Sequence, residues 1–464
     1  MIKRLKALAK RAFTSEKTTT AGRVLAEPII IPRDQHPISR SALSKNAVKV
    51  LYRLHNSGYD AYLVGGCVRD LLLGIQPKDF DVVTNATPEQ IKRLFGNCRL
   101  IGRRFRLAHV VFGKEIIEVA TFRGHHDSPD SSDKIAQQND KGMLLRDNVY
   151  GDIEEDAERR DFTVNALYYN IADFAIYDFA DGVKDIEAGQ LRLIGDAEQR
   201  YREDPVRMLR AIRFATKLNM KLTPQVAEPI PRLADLLGHI PPARLFEEFL
   251  KLFMAGKAAA NFEQLSEFGL FQMLFPMLKQ YIKNPDSESF QLIRRSFADT
   301  DKRVNNDQRV TPAYLVAVLL WYPLQARQQQ LMAEGGLPPV DALNIAAADV
   351  VGKQAQSIAI PKRFSMPARD IWHLQQRMER TKGGARVRSV LEHGRFRAAY
   401  DFLLLRADIA TGDEQQLLQQ AAQRWTEWQN QPQSAAKPSN QGRRRSNRRR
   451  KPRSQNSSSP ARND

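Results

Sequence analysis

Apolar residues fall at helical spacing first at Ala47, Val48, Val50, Leu51 and Leu54, and Ser57-Gly58 supplies a stop. The short apolar run Ala61 to Val64 then predicts a strand that enters Gly65-Gly66. Cys67 to Leu73 reads as a helix ended by Gly74, and Phe80 to Val83 as a strand. Thr87-Pro88-Glu89-Gln90 predicts a helix start, with Thr as N-cap, Pro in the first position and Gln reaching back. Strands are expected at Arg99 to Ile101, Ala108 to Phe112, Glu115 to Phe122 and Phe174 to Phe179, and a helix from Asp156 to Leu167. This mixture predicts a small domain of strands and helices with a mixed or antiparallel sheet.

From about Asp196 the pattern is helical, with breaks at Pro224, Pro229, Pro241-Pro242 and Pro276. The polar stretch His125 to Gly142 reads as a mobile loop, and ordered structure is expected to begin near Ser41. The longest apolar run, Ala313 to Leu324, is 12 residues, short of the ~20 that span a bilayer. No integral membrane association is expected.

Charge changes the picture. The 464 residues carry 71 Lys and Arg against 53 Asp and Glu, a net of +18, which predicts a polyanionic partner. The excess is uneven, because Lys437 to the end holds ten basic residues and one acid. That tail, rich also in Gln, Ser and Pro, is expected to be disordered, and its charge suits nucleic acid or an anionic membrane. Met1 to Lys17 reads as a loose basic arm, with a weak peripheral membrane contact as the second reading. Two cysteines, Cys67 and Cys98, exclude a disulfide framework and suggest reduced thiols in a cytoplasmic protein.

The chemistry concentrates in Gly65-Gly66-Cys67-Val68-Arg69-Asp70, followed by Asp79-Phe80-Asp81. Residues two apart on a strand share a face, so Asp79 and Asp81 would stand side by side. Two such carboxylates repel unless a cation lies between them, and Mg²⁺ suits hard oxygen ligands and phosphates. A Gly-Gly turn before a helix lets backbone N–H groups approach phosphate oxygens, and Arg69 adds charge there. The competing reading, a surface turn before a solvated acidic strand, does not account for both halves together. His126-Asp127 is rejected as a metal site, since only His239, His373 and His393 follow it.

This run resembles the signature of the polymerase-β nucleotidyltransferase superfamily, in the class that holds bacterial tRNA CCA-adding enzymes and bacterial poly(A) polymerases. Cys67 stands where many relatives have Ala or Gly. Arg159-Arg160-Asp161-Phe162-Thr163-Val164-Asn165-Ala166-Leu167 is similar to a second block of that family. The resemblance implies Asp161 as a third carboxylate and Arg160 as a phosphate ligand, while strand geometry favours Glu118 as third acid. Glu203-Asp204-Pro205-Val206-Arg207-Met208-Leu209-Arg210 opens a helix, with Asp204 expected as N-cap and Met208, Leu209, Ile212 and Ala215 as its buried stripe. By resemblance, Asp204 and Arg207 read the base edge and Arg210 serves binding. Gly102-Arg103-Arg104-Phe105-Arg106-Leu107-Ala108-His109 is similar to the segment that separates poly(A) polymerases from CCA-adding enzymes.

The expected fold is α+β. A nucleotidyltransferase head (41–185) follows a flexible arm (1–40) and precedes a helical neck (186–265), a helical body (266–429) and a disordered basic tail (430–464). The implied reaction is Mg²⁺-dependent transfer of AMP from ATP to an RNA 3′-hydroxyl, and RNA degradosome components are implied neighbours. CCA addition and a noncatalytic RNA-binding adaptor are the alternatives.

Overall fold

The computed structural model describes residues 24–102, 106–124 and 149–431, with short strands at 16–18, 136–138 and 144–147. The N-terminal basic arm before residue 16, most of the polar loop, Arg103-Arg104-Phe105 and the Arg-rich tail lie outside the described residues.

The head is one eight-stranded sheet. Its strands are β1 (Ile29–Ile31), β2 (Ala61–Val64), β3 (Asp81–Thr84), β4 (Cys98–Ile101), β5 (Leu107–Phe112), β6 (Glu115–Thr121), β7 (Leu167–Asn170) and β8 (Ile176–Asp178). They lie in the order β1-β8-β7-β2-β3-β6-β5-β4. Every pairing is antiparallel except β3 with β6, which is parallel and sets Asp81 opposite Glu118. The mixed sheet expected from the sequence is therefore present.

Three helices cover one face: α1 (Lys45–Asn56), α2 (Gly66–Leu72) and α3 (Pro88–Leu94). Ser44 caps α1 by accepting from the Asn46 and Ala47 N–H groups. The predicted Thr87–Gln90 capping box closes α3 in both directions. Their apolar stripes meet Leu63, Val82, Ile117 and Val119 of the sheet. Among the described residues, the opposite face holds a small cluster, in which Val64, Val83, Phe122 and Tyr168 pack against Ala157 of α4 (Ile153–Glu158). One face of the sheet is thus closed and the other largely open.

Three expectations need correction. Ordered structure begins before Ser41, because β1 pairs with β8 and both His36 and Ile38 are buried. The helix expected over Asp156 to Leu167 ends at Glu158; a 3-10 turn (Thr163–Asn165) and strand β7 follow. β7 escapes the alternation rule because Leu167, Tyr168 and Tyr169 are all buried, being central strand residues covered on both faces. Finally, Pro205 rather than Asp204 occupies the cap of its helix, although Asp204 still accepts the Val206 N–H at 3.3 Å.

The rest of the chain is almost wholly helical and shares one large core. That core reaches back into the head, taking in Phe162 and Val164 beside Leu191 and Leu193 of the neck. The helices α5 (Gly182–Ala188), α6 (Ala197–Glu203), α7 (Val206–Leu218) and α8 (Pro242–Phe253) form the seam and the neck. Met208, Leu209, Ile212 and Ala215 are buried as expected. The prolines that break the pattern open the next helix at Pro224, Pro229 and Pro242. The Ala313 to Leu324 run divides between the buried helix Pro312–Leu319 and the first turn of the helix Trp321–Gly335, where Trp321, Pro323 and Leu324 are buried. Trp372 and Trp425 are also core residues, and their indole N–H groups donate to the Ala317 and Met378 carbonyls. No helix among the described residues is long and apolar enough to cross a membrane.

Candidate active site

Side chains alternate across a strand, so the faces of the sheet can be assigned from burial. Val82 on β3, Ile117 and Val119 on β6, and Ala108 and Val110 on β5 point into the helix-covered core. Asp81, Glu118 and His109 therefore share the open face. His109 Nε2 stands 3.3 Å from a Glu118 carboxylate oxygen, an ion-pair distance without hydrogen-bond alignment. Asp79 lies just before β3, exposed, with buried Phe80 between it and Asp81. Burial and the neighbouring Glu118 and Asp79 charges push the Asp81 carboxyl up to about 6, against the pull of Arg160.

Beside this acidic group lies the Gly65-Gly66 turn at the start of α2. Gly65 adopts φ 72°, and a Cβ there would meet the Arg160 guanidinium at 3.3 Å. A Cβ on Gly66 would meet Arg69 at 3.6 Å. The two arginines therefore flank the turn, and the missing side chains make room for them. The N–H of Gly65 is taken by the Leu167 carbonyl at 3.1 Å, and the first N–H groups of α2 follow it.

Arg160 is held from behind. Its Nε and Nη2 donate to Asp156 at 3.1 and 2.9 Å, and Nε also donates to the Tyr168 hydroxyl at 2.8 Å. Asp156 is 1% exposed; burial opposes its charge, but Arg160, Arg123 and Tyr168 keep its carboxyl below the ordinary range. Arg69 is buried too and committed to protein partners, donating to Asp70 at 2.6 and 2.9 Å and to Asn165 at 2.5 Å. Asp70 also meets Lys217 of α7 at 3.3 Å.

Asp161 sits in another network. It accepts from Arg210 at 2.5 and 2.8 Å, from Asn165 at 3.0 Å and from the Phe162 N–H at 2.8 Å. Burial raises the cost of its charge, yet these donors hold the carboxyl far below the usual carboxylate range. The structure thus brings Asp79, Asp81 and Glu118 together and ties Asp161 to Arg210. Among the described residues, no three His, Cys, Asp or Glu side chains close into a metal cage.

The remaining predicted residues line the neck. Asp204 pairs with Arg244 of α8 at 2.7 Å. Arg207 pairs with Glu203 at 3.0 Å and donates to the Arg200 carbonyl at 2.7 Å. Arg200 in turn grips the Arg159 and Arg160 carbonyls at 2.8 and 2.6 Å. Sequence reasoning missed Asp156, Arg200 and Arg244. Asp156 left a local signal in its i,i+4 spacing to Arg160, and Arg200 in its i,i+3 spacing to Glu203. The carbonyls that Arg200 grips, and the Arg244 pairing with Asp204, act across elements. Arg106, within the segment taken to separate poly(A) from CCA addition, pairs with Glu89 of α3.

Three family models match the chain: "Poly A polymerase head domain" over residues 61–192, "Probable RNA and SrmB- binding site of polymerase A" over 219–282, and "Polymerase A arginine-rich C-terminus" over 335–457. Poly(A) polymerase I of Salmonella typhimurium is 55% identical over 422 residues, 90% of either chain. The CCA-adding enzyme of Lactobacillus delbrueckii subsp. bulgaricus is 35% identical over 224 residues, 48% of this chain and 54% of that one. Among solved structures, the Bacillus stearothermophilus CCA-adding enzyme in complex with CTP aligns with a TM-score of 0.54 at 25% identity, covering 82% of each chain. Identity that runs through head, neck and body alike, beside a CCA-adding match confined to half the chain, places this chain in the poly(A) polymerase I family.

Proposed function

We infer that the chain extends RNA 3′ ends with adenylate, without a template, and that the open face of the head sheet is where AMP is transferred. The chain is a polynucleotide adenylyltransferase, as its family membership requires. The observation that carries the site is the parallel β3–β6 pairing, which sets Asp81 beside Glu118 next to the Gly65-Gly66 turn.

Three crowded carboxylates with Asp81 raised to about 6 are a donor set that a divalent cation relieves. Asp79, Asp81 and Glu118 would hold Mg²⁺, an open set suited to an ion that keeps waters and substrate phosphates. When bound, it would supply charge neutralisation on the phosphates and lower the pKa of the attacking hydroxyl. Arg160, fixed by Asp156, orients the triphosphate over the glycine turn, and Arg69 holds that turn in place. Asp204, fixed by Arg244, and Arg207, fixed by Glu203, read the adenine edge; Arg210 is aimed by Asp161. The 3′-hydroxyl gives up its proton to water as its oxygen bonds to the α-phosphorus, the bond to the pyrophosphate oxygen breaks, and pyrophosphate leaves.

The division into head, neck, body and tail is kept, with the head extended back to Ile29. Two free, buried thiols, Cys67 and Cys98, suit a reducing cytoplasm. The tails added would mark RNA for decay, and the Arg-rich C-terminal segment is a candidate contact for degradosome components.

The test is extension of a generic RNA with each nucleotide separately. A long ladder with ATP alone is expected, absent in Asp79→Asn/Asp81→Asn while RNA binding persists. Growth limited to CTP and ATP on tRNA lacking its end would point to CCA addition instead. RNA binding without extension by the parent chain would leave the adaptor reading.

A further inference from the structure

Far along the chain from the carboxylates, the body encloses a cavity of about 780 Å³. Its walls are the helix Glu288–Asn305, the turn that follows, and the helix Phe396–Ile409. The charges around it are unbalanced: six Lys and Arg side chains line it against three Asp. Arg303 and Arg397 converge on Asp401 at 3.8 and 2.9 Å, and Arg295 pairs with Asp299 at 3.5 Å. The surplus is Lys302, Arg309 and Arg395, all exposed, which make no ion pair among the described residues.

The interior is different. Exposed Leu404, with the partly buried Val310, Pro367 and Ala398, gives an apolar floor backed by the buried Ala313, Ile371 and Leu405, and the partly buried Tyr314, its ring edge-on to Phe402, adds an aromatic surface. A cationic rim over an apolar and aromatic floor matches single-stranded nucleic acid, which presents phosphates along one edge and base faces along the other. An acidic peptide would use the rim but has no planar groups for the floor.

We propose that this cavity binds a single-stranded stretch of the RNA substrate upstream of its reacting 3′ end. Lys302, Arg309 and Arg395 contact phosphates, and the floor with Tyr314 receives bases. The proposal rests on RNA being the substrate, and it gives the body a share in holding that RNA.

The test uses the full chain without ATP and follows the anisotropy of labelled oligoadenylates of about 20 and about 4 nucleotides. Lys302→Ala/Arg309→Ala/Arg395→Ala should bind the longer oligomer about 10-fold more weakly near 0.1 M salt, with a log–log salt slope shallower by about 2. Binding of the short oligomer, and the rate of AMP transfer at saturating RNA, should not change. All three positions are exposed, so an unchanged melting temperature certifies folding. Arg309→Lys/Arg395→Lys should keep the parent's salt slope. An unchanged affinity and slope for the long oligomer would overturn the proposal and leave the cavity to an acidic protein partner. Equal losses at both lengths would also overturn it, by removing the upstream position. Binding is read without catalysis, so a parent chain that binds RNA here but fails to extend it sinks the functional reading alone.

Discussion

Asp81 and Asp161 are chemically the same residue in opposite surroundings. Asp81 is half-buried, and burial and the like charges beside it push its carboxyl up to about 6, above the ordinary carboxylate value of 3.8. Between those values the folded state holds more protons than the unfolded one, so stability falls as pH rises through that window. Asp81→Asn should therefore stabilise the metal-free protein above pH ~6, by up to about 2–3 kcal/mol, and change little near pH 4. Thermal melts at the two pH values check this, and equal shifts at both would contradict it. Asp161 is depressed instead: its contribution is present above the ordinary value and lost as pH falls below it. Asp161→Asn should cost about 2–4 kcal/mol in urea at pH 7, because it leaves the Arg210 guanidinium without its carboxylate. Glu118→Gln should lower kcat by about 10²-fold with RNA affinity unchanged, measured by single-turnover extension. The Asp79-x-Asp81 pair could be read directly from the sequence. The Asp161–Arg210 bond, joining positions 49 residues apart, left no local pattern to read.

Among the elements, legibility followed how locally each one is determined. The α3 capping box lies within four residues and formed as read. β7 has apolar groups on both faces, so its period of two is lost and the pattern shows no strand there, its first residue, Leu167, reading as the end of the expected helix. β1 is three isoleucines between Pro28 and Pro32, and its place depends on pairing with β8, about 145 residues away. The turn at Gly65 is the element-scale link between backbone and chemistry. Gly65→Ala forces a side chain into positive φ at a strain of about 1–2 kcal/mol and pushes against Arg160. The expected outcome is a drop of about 10-fold in kcat/KM for ATP with the melting temperature lowered by a few degrees. A change in KM for RNA alone would mean that the turn does not face the triphosphate.

At the scale of the whole molecule, head and helices were legible as separate compositions, but the seam between them was not. Phe162 and Val164 belong to the second signature block by sequence and to the helical core by packing. The Arg69 and Arg210 guanidiniums stand 5.3 and 5.2 Å from the same ring, Phe214 of α7. Asp70 and Lys217 close the same joint from the two sides. Asp161 reaches across it to the neck, and so do the carbonyls held by Arg200. A head expressed alone and ending at Ala188 should expose Phe162 and Val164 and melt without a cooperative transition; a sharp unfolding curve would refute this.

The same joint limits how such enzymes can be recombined. A chimaera that takes its strands from one relative and its helices from another inherits half of each ion pair and half of each aromatic contact. Exchange of nucleotide preference between relatives is therefore expected to succeed when the 159–165 and 200–217 segments travel together, and to fail when the cut falls at the apparent domain boundary between them.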